Sequence, residues 1–275
     1  MCGDGANDLL ALKEADLSLG IQESDASYAS SFTIRTLLDV DAVIRESKGN
    51  VSNIMQLFIY ITSTYMASEM FAITLAANAA DMSSNGRFYY NFTSLLLFPI
   101  LIPLSRPSPH PTKYVPVANF LRLYGQLMIY GNFIIMYSCM LLSYIYFKST
   151  SDFSPTTRTE LTFEDPVTTN GTDSAAMFVV VNPVWTWASL AMYWGKPFKE
   201  CFCQNVLLIV FFVLNVIAST FLFFSTSIIA TAFDFMAIQM MTAGIMFAIT
   251  GGGLILQQAF NLIVHCTDLD KTTLD

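Results

Sequence analysis

Two groups of residues in this chain have the types and spacing to do chemistry. The first is Gly3-Asp4-Gly5-Ala6-Asn7-Asp8, two carboxylates and an amide within one turn, with a glycine on each side of the first acid. Glycines admit backbone angles barred to other residues, so such a turn can present Asp4 to a cation. Hard oxygen ligands of this kind suit Mg²⁺, which keeps several waters and bridges to a phosphoryl group. Leu9 to Ala15 reads as helix, so a turn that merely opens a helix fits these residues equally well. The second group centres on Glu69, the one charge between Ile54 and Ala80. Tyr60, Thr64, Tyr65 and Ser68 share its helix and offer hydroxyls and aromatic faces to an ammonium group. A glutamate that reaches for the membrane surface, or pairs in a helix contact, fits as well.

The elements that must position these groups are mostly apolar. Of 275 residues 54% are hydrophobic and 12% charged, about half the charged fraction of a soluble domain. Mean hydropathy is +0.52. The net charge of -8, with no cluster of Lys and Arg, excludes nucleic acid as a partner and leaves lipid as the expected one. No basic stretch followed by a short apolar core marks a signal peptide at the start. The five cysteines, Cys2, Cys139, Cys201, Cys203 and Cys266, are scattered and read as small buried hydrophobes, with no disulfide framework or zinc spacing.

Residues 1–35 are soluble in character and 36–53 form a linker. Six stretches over 54–264, at 54–80, 88–105, 117–147, 174–194, 203–225 and 236–264, are each long enough to cross a hydrocarbon core. Asn182-Pro183 is expected to kink or unwind the fourth, while Pro99 and Pro103 in the second either free carbonyls that line a path or simply bend it. Gly251-Gly252-Gly253 permits close helix contact in the sixth. Asn182, Asn215, Gln239, Gln257 and Gln258 read as hydrogen bonds between helices. The fold class is therefore a mainly α-helical polytopic membrane protein. An even number of spans puts both termini, including the tail 265–275, on one side. With that side cytoplasmic, Arg106, Lys113, Arg122, Lys196 and Lys199 face inward and Arg87, Lys148 and Arg158 outward. The outer loop 148–173 then carries a glycosylation sequon at Asn170, which agrees.

Cys2-Gly3-Asp4-Gly5-Ala6-Asn7-Asp8, followed by Ala11-Leu12-Lys13 and Ala15-Asp16, resembles the hinge motif of P-type ATPases. Glu23-Ser24-Asp25-Ala26-Ser27-Tyr28-Ala29-Ser30-Ser31-Phe32 is most similar to the type V pumps of subgroup B, and Val43-Ile44-Arg45-Glu46, Lys48-Gly49, Ser105-Arg106 and Gly195-Lys196-Pro197-Phe198 fit the same comparison. The resemblance implies that residues 1–35 are the C-terminal end of a haloacid-dehalogenase-like α/β phosphorylation domain. It further implies that Asp4 and Asp8 hold the catalytic Mg²⁺, that Asn7, Gly3 and Gly5 support the phosphoryl site, and that six helices line half of a transport path. ATP would be the substrate of the full-length enzyme, and a small cation, with polyamine a candidate, the cargo. An endosomal, lysosomal or other endomembrane location follows from the same comparison.

Two departures accompany it. The phosphorylation motif Asp-Lys-Thr-Gly-Thr, a nucleotide-binding domain and an actuator loop are absent from these 275 residues. Catalysis is thus expected to reside in N-terminal pump domains, in the same chain or another, and a scaffold or complex subunit derived from such a pump is the alternative. The polyamine pumps carry an acid in the helix equivalent to Phe88–Ser105, where this chain has Asn91 and Thr93, so the path is assigned to Glu69, Tyr60, Ser68, Asn91 and Thr93. Residues 1–35, without most of a sheet to cover their apolar side chains, are expected to be poorly ordered or merely helical.

Overall fold

Residues 1–35 are neither unordered nor merely helical. The computed structural model, which describes residues 1–78, 80–154, 171–224, 238–266 and 272–273, shows three short parallel strands there. β1 (Cys2–Gly3), β2 (Leu19–Ile21) and β3 (Phe32–Ile34) pair in that spatial order, with Gly3 opposite Gly20 and Gly20 opposite Thr33. The helix α1 (Leu9–Glu14) covers them through Leu12, which with Leu19, Ala26 and Ile34 is buried. The parallel crossover brings these few apolar side chains together under α1. Arg158, Asn170, Ser225 at the end of the fifth apolar stretch, 236–237 at the start of the sixth, and most of the tail lie outside the described residues.

The linker is helical and continuous with the first apolar stretch: α2 runs unbroken for 38 residues, Asp39–Ala76. It opens where the Asp39 carboxylate accepts from the backbone N–H of Arg35 and Thr36, at 3.0 and 2.9 Å. Those bonds, Thr36 first, hold the Asp39 carboxyl below its ordinary range. The second stretch is broken into α3 (Ser84–Tyr90), a π-helical segment Asn91–Leu97, α4 (Phe98–Leu101) and a final 3₁₀ turn Ile102–Leu104. Pro99 and Pro103 explain the breaks, since each lacks an N–H and crowds the turn before it. α5 (Leu123–Lys148), α6 (Thr172–Ala191), α7 (Val206–Phe224) and α8 (Met240–Cys266) complete the set. Contrary to the expected unwinding, α6 is continuous through Pro183.

Among the described residues, α5, α6 and α8 are long and apolar enough to cross a membrane, and α7 contains a shorter apolar run. Leu127, Ile134, Leu142 and Ile145 of α5, Val210, Leu214 and Ile217 of α7, and Ile255 and Leu262 of α8 point outward at helical spacing, an arrangement suited to lipid or to further helices rather than to water. α6 is enclosed by its neighbours. Polar seams join them: Asn182 donates to Ser219 at 2.8 Å, Thr186 to Asn215 at 3.1 Å, and Asn132 to Asn261 at 2.8 Å, with Asn261 passing on to the Ala191 carbonyl. Gly251 and Gly253 let α8 close on Trp187 and Cys139, where an added Cβ would lie within 2.8 and 2.5 Å of a side-chain atom. Cys139 is buried as expected of a small hydrophobe, but Cys2, Cys201 and Cys203 are exposed, because they lie outside the packed helices.

At the end nearest the sheet, the connections 105–115 and 192–205 form a collar around α2. Ser108 N–H donates to the Phe198 carbonyl at 2.9 Å, and Glu200 N–H to the Arg106 carbonyl at 3.1 Å. Arg45 and Lys48 of α2 donate to the carbonyls of Pro109 and Thr112 at 2.9 and 2.6 Å. Gly49 lets α2 approach Pro107 closely, whose Cβ would stand 3.3 Å from a side chain there. Lys199, expected as an inward-facing surface charge, is instead fully buried, donating to the Gln56 side-chain oxygen with its ammonium 4.5 Å from the Tyr193 ring centre.

Candidate functional site

The N-terminal turn is built by Asp8. Its Oδ2 accepts from the N–H groups of Asp4 and Gly5 at 3.3 and 3.5 Å, which curls the chain from β1 into a short 3₁₀ turn, Ala6–Asp8, and on into α1. Space rather than unusual angles favours glycine here, more firmly at Gly3, which faces Asp8 Cβ, than at Gly5, which meets only the movable end of Asn7. No glycine has positive φ among the described residues, whereas a Cβ on Gly3 would fall 2.8 Å from Asp8 Oδ2 and one on Gly5 2.3 Å from Asn7 Oδ1. Asp4 and Asn7 are left exposed at the rim of the turn. The donor set, two carboxylates with an amide beside them, is of the hard-oxygen type that fits Mg²⁺. Asp4 has its carboxylate free to bind, while Asp8 has one oxygen committed to the backbone. Among the described residues no third Asp, Glu, His or Cys joins them, so water or groups from elsewhere would complete the shell.

The second group is organised around a cavity of about 160 Å³ between α2, the start of the broken second stretch and α6. From α2 come Tyr65, Ser68, Glu69 and Ala72, a set at i, i+3, i+4 and i+7. Arg87, Tyr90 and Asn91 come from the facing segment, with Met82 and Met177 closing the sides. Glu69 lies two turns from the C-terminal end of α2, so the cavity is toward the end of the bundle opposite the sheet. Its carboxylate takes part in neither ion pair found among the described residues, Arg45–Asp41 and Arg87–Asp81.

Trp185 does not line the cavity but packs behind its two rings. Wholly buried on α6, it stands edge-on to Tyr60, Tyr65 and Tyr90 at centroid distances of 6.1, 5.8 and 5.0 Å, and its Nε1 donates to Ser68 Oγ. Three of the five expected path residues, Glu69, Ser68 and Asn91, therefore line one cavity. Tyr60 does not, being buried against Trp185, and Thr93 does not, its hydroxyl donating to the Tyr89 carbonyl at 2.8 Å. Arg87 was legible only as an outer-side charge. Its Nη2 donates to both oxygens of Asp81 at 2.6 Å, and Asp81 also accepts from the Met82 N–H at 2.7 Å. The six-residue step from Asp81 to Arg87, across a helix start, was the available signal.

No family model matches the chain. Individual relatives do. Over 228 residues, 80% of this chain, it is 28% identical to the vacuolar cation-transporting ATPase YPK9 of Saccharomyces cerevisiae. Over 238 residues, 79% of this chain, it is 26% identical to the polyamine-transporting ATPase 13A3 of Mus musculus, and over 87 residues it is 34% identical to the polyamine-transporting ATPase 13A2 of the same organism. The chain is a relative of the P-type cation-transporting ATPases, type V among them. It spans 15% of the length of the yeast relative and 19% of the mouse 13A3 protein. For a relative of cation pumps, the chemistry of the cavity is apt: one carboxylate, two aromatic rings, a hydroxyl and an amide favour positive charge, while the one guanidinium in the lining, Arg87, is paired with Asp81.

Proposed function

We propose that this chain is the membrane portion of a type V ATP-driven pump, in which six helical stretches follow the closing turn of the phosphorylation domain and the Glu69 cavity holds the transported cation. The cavity is the observation that carries the reading. Among the described residues its one acid, Glu69, enters no ion pair and stands exposed beside two tyrosine rings, and an ionisable group on a membrane helix is a default candidate for an ion path. The six-span arrangement is supported by a helical element in every apolar stretch, and the phosphorylation-domain end by the parallel strands before α2. On this reading both termini are cytoplasmic, the membrane is an endosomal, lysosomal or other endomembrane, and the catalytic domains lie in further pump segments, in this polypeptide or a partner.

At the hinge, Asp4 would hold Mg²⁺ with the help of Asp8, while Asn7 and the two glycines shape the approach. When bound, the metal neutralises phosphoryl oxygens during transfer. Asp8 keeps the turn closed through its two backbone contacts, which fixes where the Asp4 carboxylate stands. α2 then joins that turn to the cavity in one continuous helix.

Equilibrium binding of radiolabelled spermidine to the purified 275-residue chain in detergent tests the cavity assignment. Saturable binding that Glu69→Gln weakens at least about tenfold is expected, the loss of one charge contact. Absent binding, or binding indifferent to Glu69, would overturn the assignment and favour a scaffold derived from a pump.

A further inference from the structure

The Glu69 cavity contains its own cation. Arg87 lines the same space, yet its guanidinium is turned to Asp81 rather than to Glu69. With Arg87 neutralised by Asp81, the cavity carries the net charge of Glu69 alone and attracts a positive ligand. Were Arg87 to move to Glu69, the cavity would be neutral and the ligand would lose its counter-charge to a group that cannot diffuse away.

Three features make that exchange feasible. The Arg87 and Asp81 side chains are 53% and 36% exposed, so their pair is weakly held despite short contacts. Only one guanidinium nitrogen is used on Asp81, leaving the other donors of the fork available. The partners also belong to different pieces of chain: Asp81 lies in the connection before α3, Arg87 in the helix itself, and Glu69 on α2. A shift of α3 against that connection would therefore change which carboxylate Arg87 meets.

We infer that Arg87 is a built-in competitor for the cation site at Glu69, held off by Asp81, so that opening the Arg87–Asp81 pair expels the bound cation. This deepens the reading of the cavity given above and rests on it. By linkage the effect runs both ways: a bound cation strengthens the Arg87–Asp81 pair as much as the pair strengthens cation binding.

Spermidine binding to the purified chain and three variants is the test. Asp81→Asn keeps an oxygen for the Met82 N–H while releasing Arg87, and is expected to weaken binding on the order of tenfold, the scale of one charge contact across a partly solvated gap. Arg87→Gln should bind as tightly as the unmodified chain or more so, and Asp81→Asn combined with Arg87→Gln should restore binding. A pair that only braces the turn predicts the opposite, with all three variants weakened alike, and that result overturns the inference. Glu69-dependent binding that Asp81→Asn leaves unchanged also overturns it while sparing the cavity assignment. No binding by the unmodified chain overturns both.

Discussion

Among the described residues Lys199 is a buried amine with no counter-charge, and replacing it by methionine, Lys199→Met, should reveal what that costs. Gln56 of α2 meets it with an amide oxygen, and Tyr193 with a ring face. His110, Lys196, Glu200 and Cys201 line the same cavity as Lys199, and no carboxylate comes within ion-pair distance of it among the described residues. Burial therefore pushes its pKa down from the ordinary 10.5 to about 7.

The unfolded chain keeps this proton up to pH 10.5, whereas the folded chain releases it near 7. Between those values the unfolded state binds one proton more, so stability rises with pH. The gain is roughly one to two kcal/mol for each pH unit, or on the order of 5 kcal/mol across the whole window. Below pH 7 both states are charged and the full penalty stands. Lys199→Met has nothing to titrate, though it leaves the Gln56 oxygen without its donor, a cost of about 1–3 kcal/mol that does not vary with pH. Thermal melting in detergent from about pH 6 to 9.5 should show the variant faring best against the parent up to about pH 7, then losing ground steadily. Parallel melting profiles across that range would show that Lys199 keeps its proton when buried, and would refute the reasoning.

Trp185→Ala should lower stability by roughly 3–5 kcal/mol, the usual cost of emptying a large aromatic site, and should also weaken spermidine binding by loosening the ring cluster under Glu69; Trp185→Phe, keeping a ring but losing the donor to Ser68, should do less of both. Gly253→Val should cost about 1–3 kcal/mol by forcing α8 from α5, and Cys139→Ala in the same chain should recover part of it, visible as non-additive melting shifts.

The helices were legible because long apolar runs leave a chain little else to do in lipid, and each of the six carries a helical element. The start of α2 was not, since its first residues are polar and resemble a linker until the Asp39 carboxylate is seen to hold the preceding turn through Arg35 and Thr36. Strands of two or three residues carry no alternation to read, so the small sheet was missed although the glycine and aspartate turn that follows β1 was plain. Helical phase sorted the site: Tyr65, Ser68, Glu69 and Ala72 share a face, whereas Tyr60, nine residues before Glu69, is about two and a half turns away and points oppositely. Thr93 sits in the π-helical segment, where ordinary phase fails. Lys199 and Arg87 escaped for one reason: counting charges says which side of a membrane they favour, not which partner they meet.

The continuity of α2 gives the collar the character of a fulcrum. From Gly49, pressed against Pro107, to Glu69 is an arm of about 30 Å, with no break at which motion is absorbed. Tilting that arm by roughly 5° at the collar would carry the Glu69 carboxylate about 3 Å, the difference between touching a ligand and releasing it. The grips there act on backbone carbonyls, so the pivot depends on the course of the chain more than on which side chains it bears.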